Sequence, residues 1–300
     1  MLCFSFCWLL ALCGCTLANI QIPEEYLAAI RQDRADDQSA GEYNYDKQGD
    51  DWTGTCATGS KQSPINLNLD ESKIVAIPRL CFYHYDQALQ TPLVITNNGH
   101  TANMVIPPTR GGQRAGINGG LLPGDFEVQS VHFHWGSKNS KGSEHSIGNR
   151  RYDVEMHIVH KNVKYDTMGE ATLHPDGLAV LGVMLRSTYI LTFQNGLDKI
   201  FNQLPKIEQY SSNATITGTL TVGQLLGGII TDQFFTYNGS LTTPDCAEAV
   251  TWTVFSAVIN YSGRQIAKLW KLKDSREKPL VNNYRKIQET NGRDVYFRAI

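Results

Sequence analysis

After its first 18 residues the chain has no long apolar run, and it carries no internal repeat, no low-complexity block and no linker-like stretch beyond about Tyr43. Those absences exclude a multispan membrane protein, a solenoid and a string of small modules, and they favour one large domain. Charge of one sign is lacking too, since 27 Lys and Arg stand against 29 Asp and Glu for a formal net charge of −2. Nothing in that balance attracts nucleic acid or an anionic membrane surface, so small neutral or mixed partners are favoured. Cysteine is scarce in the body of the chain. Four of the seven (Cys3, Cys7, Cys13, Cys15) fall in the first 18 residues, leaving Cys56, Cys81 and Cys246. In an oxidising compartment an odd set predicts one bridge and one thiol left over.

The opening MLCFSFCWLLALCGCTLA is apolar without a charged side chain, and Thr16, Leu17 and Ala18 end it with a small-residue site. This reads as a secretory signal peptide over residues 1–18, although the customary basic start is missing; an uncleaved anchor is the competing reading, but the segment is short for a bilayer. The end of the chain, GRDVYFRAI, lacks the hydrophobic tail of a glycolipid anchor. A secreted, extracellular protein with no membrane association after cleavage is expected. Residues 19–40 are polar, with one short helical pattern from Pro23 to Arg31, and read as a flexible extension.

What the sequence does contain is strand. Leu93–Thr96, Ala102–Ile106, Phe126–Trp135, Tyr152–Val159, Leu178–Arg186 and Val250–Val258 are separated by turn signals such as Asn97-Asn98-Gly99, whereas helical patterns are few and short (Gly196–Gln203, Gly218–Leu226, Ser262–Leu272). A mainly β, α+β domain built on a large sheet follows.

Two of these strands carry chemistry. In FEVQSVHFHWG (126–136), alternation places Val128, Ser130, His132 and His134 on one face and Gln129, Val131, Phe133 and Trp135 on the other. His132 and His134 then have metal-ligand spacing, but a catalytic zinc takes three protein ligands and keeps a fourth position open. In YDVEMHIVH (152–160), Asp153, Glu155, His157 and Val159 share a face. If the two strands are neighbours, His157 is the third ligand, and Glu155 reaches its other nitrogen to fix the tautomer. His160 points the opposite way and reads as structural.

With GSEH (142–145), YNGSLTTP (237–244), QSPIN (62–66) and NNGH (97–100), these segments resemble, in order, the signature segments of the α-class carbonic anhydrases from about residue 43 to the C-terminus. The resemblance implies a catalytic domain over residues 41–300 with a central, twisted, mixed sheet of about ten strands and short peripheral helices. It implies a Zn2+ cofactor, and reversible hydration of carbon dioxide to bicarbonate and a proton by zinc-bound hydroxide. Three neutral imidazoles leave the ion its full charge, and carbonic anhydrase is itself the reference case, in which the water pKa falls from 15.7 to about 7. Glu144 and Thr242 match the pair that orients the attacking oxygen: an ionised Glu144 can only accept, so the Thr242 hydroxyl donates to it. Val159, Val180, Leu241, Val250 and Trp252 match the apolar wall beside the metal.

Regeneration needs a proton acceptor. If reprotonation runs near ~10¹⁰ M⁻¹s⁻¹, direct loss of the proton to water is limited to roughly 10³ per second. A local group titrating near 7 lifts that limit, and His100 matches the family's shuttle. Tyr45, Asn98, Asn103 and Thr243 match the residues that hold the intervening waters. The family also selects Cys56 with Cys246 as the bridge, which leaves Cys81 as a buried thiol. Asn213 and Asn260 are glycosylation candidates, while Asn238 lies so close to the site that it is expected to be shielded. One departure stands out: family members commonly place Gln two residues before the first zinc histidine, and here that position is Ser130, whose shorter side chain suggests a bridging water or a loosened His132. A non-catalytic, carbonic anhydrase-like binding or matrix protein is the alternative, and incidental ester hydrolysis a further one. Monomer and homodimer both remain open.

Overall fold

The computed structural model describes residues 43–190 and 195–299. The expected signal peptide, the extension and its helical pattern lie outside the described residues. In chain order the strands are β1 (Asn66–Leu67), β2 (Lys73–Ile74), β3 (Leu80–Tyr83), β4 (Leu93–Asn97), β5 (Ala102–Val105), β6 (Gly116–Gly119), β7 (Phe126–Trp135), β8 (Ser146–Ile147), β9 (Val154–Asn162), β10 (Leu178–Thr188), β11 (Asn213–Ile216), β12 (Phe234–Gly239), β13 (Val250–Ser262) and β14 (Tyr296–Arg298). Ten of them form one continuous path, β11-β4-β5-β7-β9-β10-β13-β12-β14-β2, and β3 and β6 attach beside β7 to complete a twisted sheet of twelve. The sheet is mixed: β10 pairs β13 and β14 pairs β2 in parallel, while the other pairs within it are antiparallel.

Central strands with both faces covered read as nearly continuous apolar runs. Strand β10 is such a run, and its side chains divide by parity between two cores. Ala179, Leu181, Val183 and Leu185 join Val131, Phe133, Met156, Ile158 and Phe201 on one face. Leu178, Val180 and Met184 join Val159, Phe235, Tyr237, Val250 and Trp252 on the other.

The expected alternation in β7 is interrupted. Val128 pairs with His160 and Ser130 with Val159, so Gln129 is an extra residue, a β-bulge. The bulge moves Val128 off the histidine face, where strict alternation places it, into the first core beside Val131 and Phe133. From Ser130 onward the period of two holds, and it sets His132 directly opposite His157 and His134 opposite Glu155.

Helices are short. The Gly196–Gln203 pattern forms Asn195–Phe201, and Ser262–Leu272 yields a turn of α-helix at Gly263–Ile266 and a 3₁₀ turn at Leu269–Lys271, because β13 continues to Ser262 alongside β10. Of Gly218–Leu226 only a 3₁₀ turn at Gly223–Leu226 forms. Two further expectations are corrected. Cys81 is an exposed thiol, not a buried one, because β3 pairs only with β6 at the sheet's margin. Asn238 is exposed rather than shielded: β12 alternates, so Tyr237 turns into the second core while Asn238 turns outward. Asn213 and Asn260 are exposed as well.

Cys56 and Cys246 are joined by a disulfide across 190 residues. Chain-entropy reasoning assigns a loop of that length roughly 5 kcal/mol of stabilisation.

Candidate metal centre

His132, His134 and His157 come together on the face of β7 and β9 that carries Val159. One nitrogen from each lies within 4.8 Å of the others. His157 Nε2 sits 2.8 Å from Glu155 Oε1, and His134 Nδ1 sits 2.8 Å from the Asn283 carbonyl oxygen. Both partners can only accept, so those nitrogens carry the protons, and His157 Nδ1 and His134 Nε2 are left with lone pairs turned inward. His157 Nδ1 is 3.3 Å from His132 Nε2.

Two buried atoms here have no hydrogen-bond partner among the described residues, His134 Nε2 and Glu144 Oε2, and they lie 3.5 Å apart. Imidazole lone pairs and a carboxylate oxygen gathered in one space are electrostatically unfavourable alone and favourable around a cation. Three neutral imidazole nitrogens are a fitting donor set for Zn2+. Burial, together with repulsion from His134 and His157, pushes His132 well below the ordinary histidine value, and burial lowers His134 as well. Both rings are therefore neutral, as ligation requires.

Glu155 is fully buried and ties the cluster to the fold. Its Oε1 accepts from His157 Nε2 and also lies 2.7 Å from His145 Nδ1, while Oε2 accepts from the His145 backbone N–H at 2.8 Å. Burial by itself would raise its carboxyl, but His145 and His157 outweigh that and hold it well below the usual range. His145 Nε2 then meets the Tyr237 hydroxyl at 2.7 Å, and that hydroxyl donates to Ser63 Oγ at 2.9 Å. The sequence reading missed His145, Tyr237, Asn283 and Arg285. His145 and Tyr237 lie inside the GSEH and YNGSLTTP motifs. Asn283 and Arg285 lie in a loop with no periodic signal.

Glu144 is buried, and its Oε1 accepts from the Arg285 backbone N–H at 2.8 Å. The donation expected from Thr242 is not formed, since Glu144 Oε2 has no partner. Thr242 is buried on the turn after β12, and that turn is closed by hydrogen bonds from Cys246 N–H to Thr243 O (2.7 Å) and from Leu241 N–H to Ala247 O (2.9 Å). Val159, Val180, Val250 and Trp252 are buried in the core on this face, with Leu241 partly buried against it. Trp252 packs its ring 4.8 Å from that of His157. Ser130 makes no hydrogen bond to His132 among the described residues, in keeping with its short reach.

His100 follows the turn at Asn97-Asn98-Gly99. Gly99 has φ +92°, and a side chain there would run into Tyr210, so glycine is required. Asn98 accepts the His100 and Thr101 backbone N–H groups at 3.0 and 2.8 Å, which commits its carbonyl to the turn rather than to water. The His100 ring stacks on Tyr43 at 3.8 Å. Burial pushes it down to about 4, so in this stacked position it lacks the value near 7 that a proton acceptor needs. Asn103 is buried on β5 and Tyr45 is buried against Trp52.

The family model described as eukaryotic-type carbonic anhydrase matches residues 47–299. Human carbonic anhydrase 3 is 35% identical over 244 residues, covering 80% of this chain and 90% of the relative. A Caenorhabditis elegans protein named putative carbonic anhydrase 5 is 32% identical over 264 residues, covering 85% and 81%. Mouse carbonic anhydrase 15 is 32% identical over 244 residues, covering 79% and 75%.

Proposed function

The chain belongs to the eukaryotic-type carbonic anhydrase family, and from that premise we propose that it catalyses the reversible hydration of carbon dioxide to bicarbonate and a proton. The observation that carries the reading is the convergence of three imidazoles whose inward lone pairs, with the unpartnered Glu144 Oε2, form a buried cluster of acceptors. His132, His134 and His157 hold Zn2+ in this proposal. When bound, the ion supplies the undiminished positive charge that acidifies a ligating water.

The remaining chemistry belongs to the chain. Glu155 and the Asn283 carbonyl fix the tautomers of His157 and His134, so that each keeps a lone pair for the ion. Glu144, whose Oε2 is unpartnered, accepts from the Thr242 hydroxyl in this reading, and the pair orients the attacking oxygen. Val159, Val180, Leu241, Val250 and Trp252 offer an apolar, neutral substrate a dry wall, with Thr243 at its edge. His100 takes the released proton once its ring has left the Tyr43 stack. Tyr45, Asn98 and Asn103 hold the intervening waters in this reading, Asn98 through its amide N–H groups, since its carbonyl is taken by the turn. Ser130 leaves His132 less firmly held than its two neighbours.

We also propose that the protein is secreted after removal of residues 1–18, with residues 41–300 as the catalytic domain. The Cys56–Cys246 disulfide supports an oxidising compartment, and no helix among the described residues is long and apolar enough to cross a membrane. Asn213 and Asn260, both exposed, are the proposed glycosylation sites.

Stopped-flow hydration of carbon dioxide by the purified, zinc-loaded protein tests the main reading. Activity is expected in the parent, lost on chelation and absent in His132→Ala. A folded parent that holds zinc yet does not hydrate carbon dioxide would establish instead the non-catalytic, carbonic anhydrase-like role.

A further inference from the structure

Arg285 is almost fully buried, and its guanidinium hydrogen-bonds to the segment that runs from Cys56 to Ser63, beside the disulfide. Nη2 donates to the Cys56 carbonyl at 2.7 Å, and Nη1 donates to Gln62 Oε1 and to the Ser63 carbonyl, each at 2.8 Å. Gln62 in turn donates through Nε2 to the Cys246 carbonyl at 3.2 Å. The two halves of the bridge are thus both tied to one side chain, Cys56 directly and Cys246 through Gln62. The Trp52 ring covers the guanidinium at 5.7 Å.

The backbone of this residue does something different. Its N–H donates to Glu144 Oε1, while two residues earlier the Asn283 carbonyl accepts from His134 Nδ1. Three consecutive residues therefore set the place of a metal-cluster imidazole and of the carboxylate 3.5 Å from its Nε2. At one end the strip is anchored by the Asn283 amide, which donates to the His100 and Phe133 carbonyls and accepts from the Trp135 N–H. At the other end the anchor is the Arg285 guanidinium. Cys246 also donates its N–H to Thr243 O, on the turn that presents Thr242. Glu144 and Thr242 are far apart in sequence, yet both hang from this one frame.

We infer that Arg285 is a positioning residue: by locking the disulfide-bearing segment to the Asn283–Arg285 strip, it fixes the Glu144 carboxylate relative to the Thr242 turn. This deepens the proposed function and rests on it for the roles of Glu144 and Thr242. Lysine retains the charge at this position, but it has one donor head and cannot span the Cys56 and Gln62 sides together. Arg285 touches neither substrate nor metal cluster through its side chain, so its loss should spare ligation and impair orientation.

The test uses full-length zinc-loaded protein in three forms: parent, Arg285→Lys, and the parent with the disulfide reduced under conditions where it remains folded by thermal unfolding. Expected are a fall in kcat of about tenfold or more with KM and zinc affinity within about twofold of the parent. Independently of activity, hydrogen exchange at the Arg285 amide, the donor to Glu144, should quicken about tenfold or more in both altered forms. Combining Arg285→Lys with reduction should cost little beyond either alone, because both break one frame. An unchanged Arg285 amide in both altered forms overturns the inference, as does a loss of kcat that tracks loss of zinc. If the parent holds zinc but hydrates no carbon dioxide, the functional reading fails, and the exchange measurement still decides whether Arg285 holds Glu144 in place.

Discussion

His157 and His160 lie on the same strand, three residues apart, and both are buried. Their hydrogen bonding differs. His160 is closed on both sides, with the Tyr85 hydroxyl 2.6 Å from Nε2 and the Ala179 carbonyl 3.2 Å from Nδ1. His157 is fixed by Glu155 through one nitrogen only, and its other nitrogen joins a group of acceptors that includes the unpartnered His134 Nε2. A histidine whose bonds are complete has finished its work in the fold. One left open among other open atoms has a lone pair to offer a cation, and the strand's alternation turns the two rings to opposite faces.

The sharpest way to break that comparison is to remove one residue from each side of it. His134→Ala should lower zinc affinity by more than ~100-fold, exceeding the loss usual for an outer partner, while the protein stays folded. Equilibrium dialysis against zinc with circular dichroism checks both halves, and undiminished zinc binding would end the distinction. Glu155→Ala should follow with a loss of roughly 10- to 100-fold in zinc affinity, because the His157 tautomer is no longer imposed.

His160→Ala belongs to the other side. It should leave zinc affinity unchanged but cost about 2–3 kcal/mol in urea unfolding, since the buried Tyr85 hydroxyl loses its partner. The same residue carries a pH signature. Burial holds its imidazole down to about 4, with hydrogen bonds to the Ala179 and Ile158 backbone partly opposing that fall. The unfolded chain, near 6.5, therefore binds the proton more readily. This contribution is complete above about pH 6.5 and is lost as pH falls towards about 4, a difference of roughly 3 kcal/mol. The gap in stability between parent and His160→Ala should accordingly narrow from pH 7.5 to pH 4.5; a constant gap would show that burial does not hold the ring neutral.

His100 tests the comparison at the margin, since its ring is stacked on Tyr43 rather than open to the cluster. His100→Ala should slow turnover about tenfold in weak buffer and be restored by added imidazole. Unaltered turnover would mean that the ring stays in its stack and that protons leave by another route. The smallest effect is expected from Ser130→Gln. A side chain long enough to reach His132 should tighten zinc binding by a few-fold, on the order of one added hydrogen bond. Affinity no tighter than the parent's would show that the ligand is not loosened by Ser130.

Much of this was legible in advance because a strand has a fixed period. His132 with His134, Glu155 with His157, and the opposite heading of His160 all follow from alternation once the segments are read as β. The resemblance to a known family supplied the disulfide partners and pointed to Glu144. Alternation failed where a bulge intervened, at Gln129, and Val128 changed faces as a result. It was equally silent on Cys81, whose exposure depends on β3 having a single neighbour, and on Asn238, whose outward heading is set by which face of β12 is covered.

The sequence determined the residue types, their spacing along each strand and therefore which side chains could share a face. Only the tertiary structure decided that β7 and β9 lie side by side in the register that sets His132 opposite His157. It alone brought Asn283, Arg285 and His145 to the cluster from loops and turns of no period. The physical reason is one of range. Backbone geometry fixes neighbours two residues apart whatever the rest of the chain does, whereas contacts across more than a hundred residues exist only when packing and buried hydrogen bonds together outweigh the entropy of closing the loop.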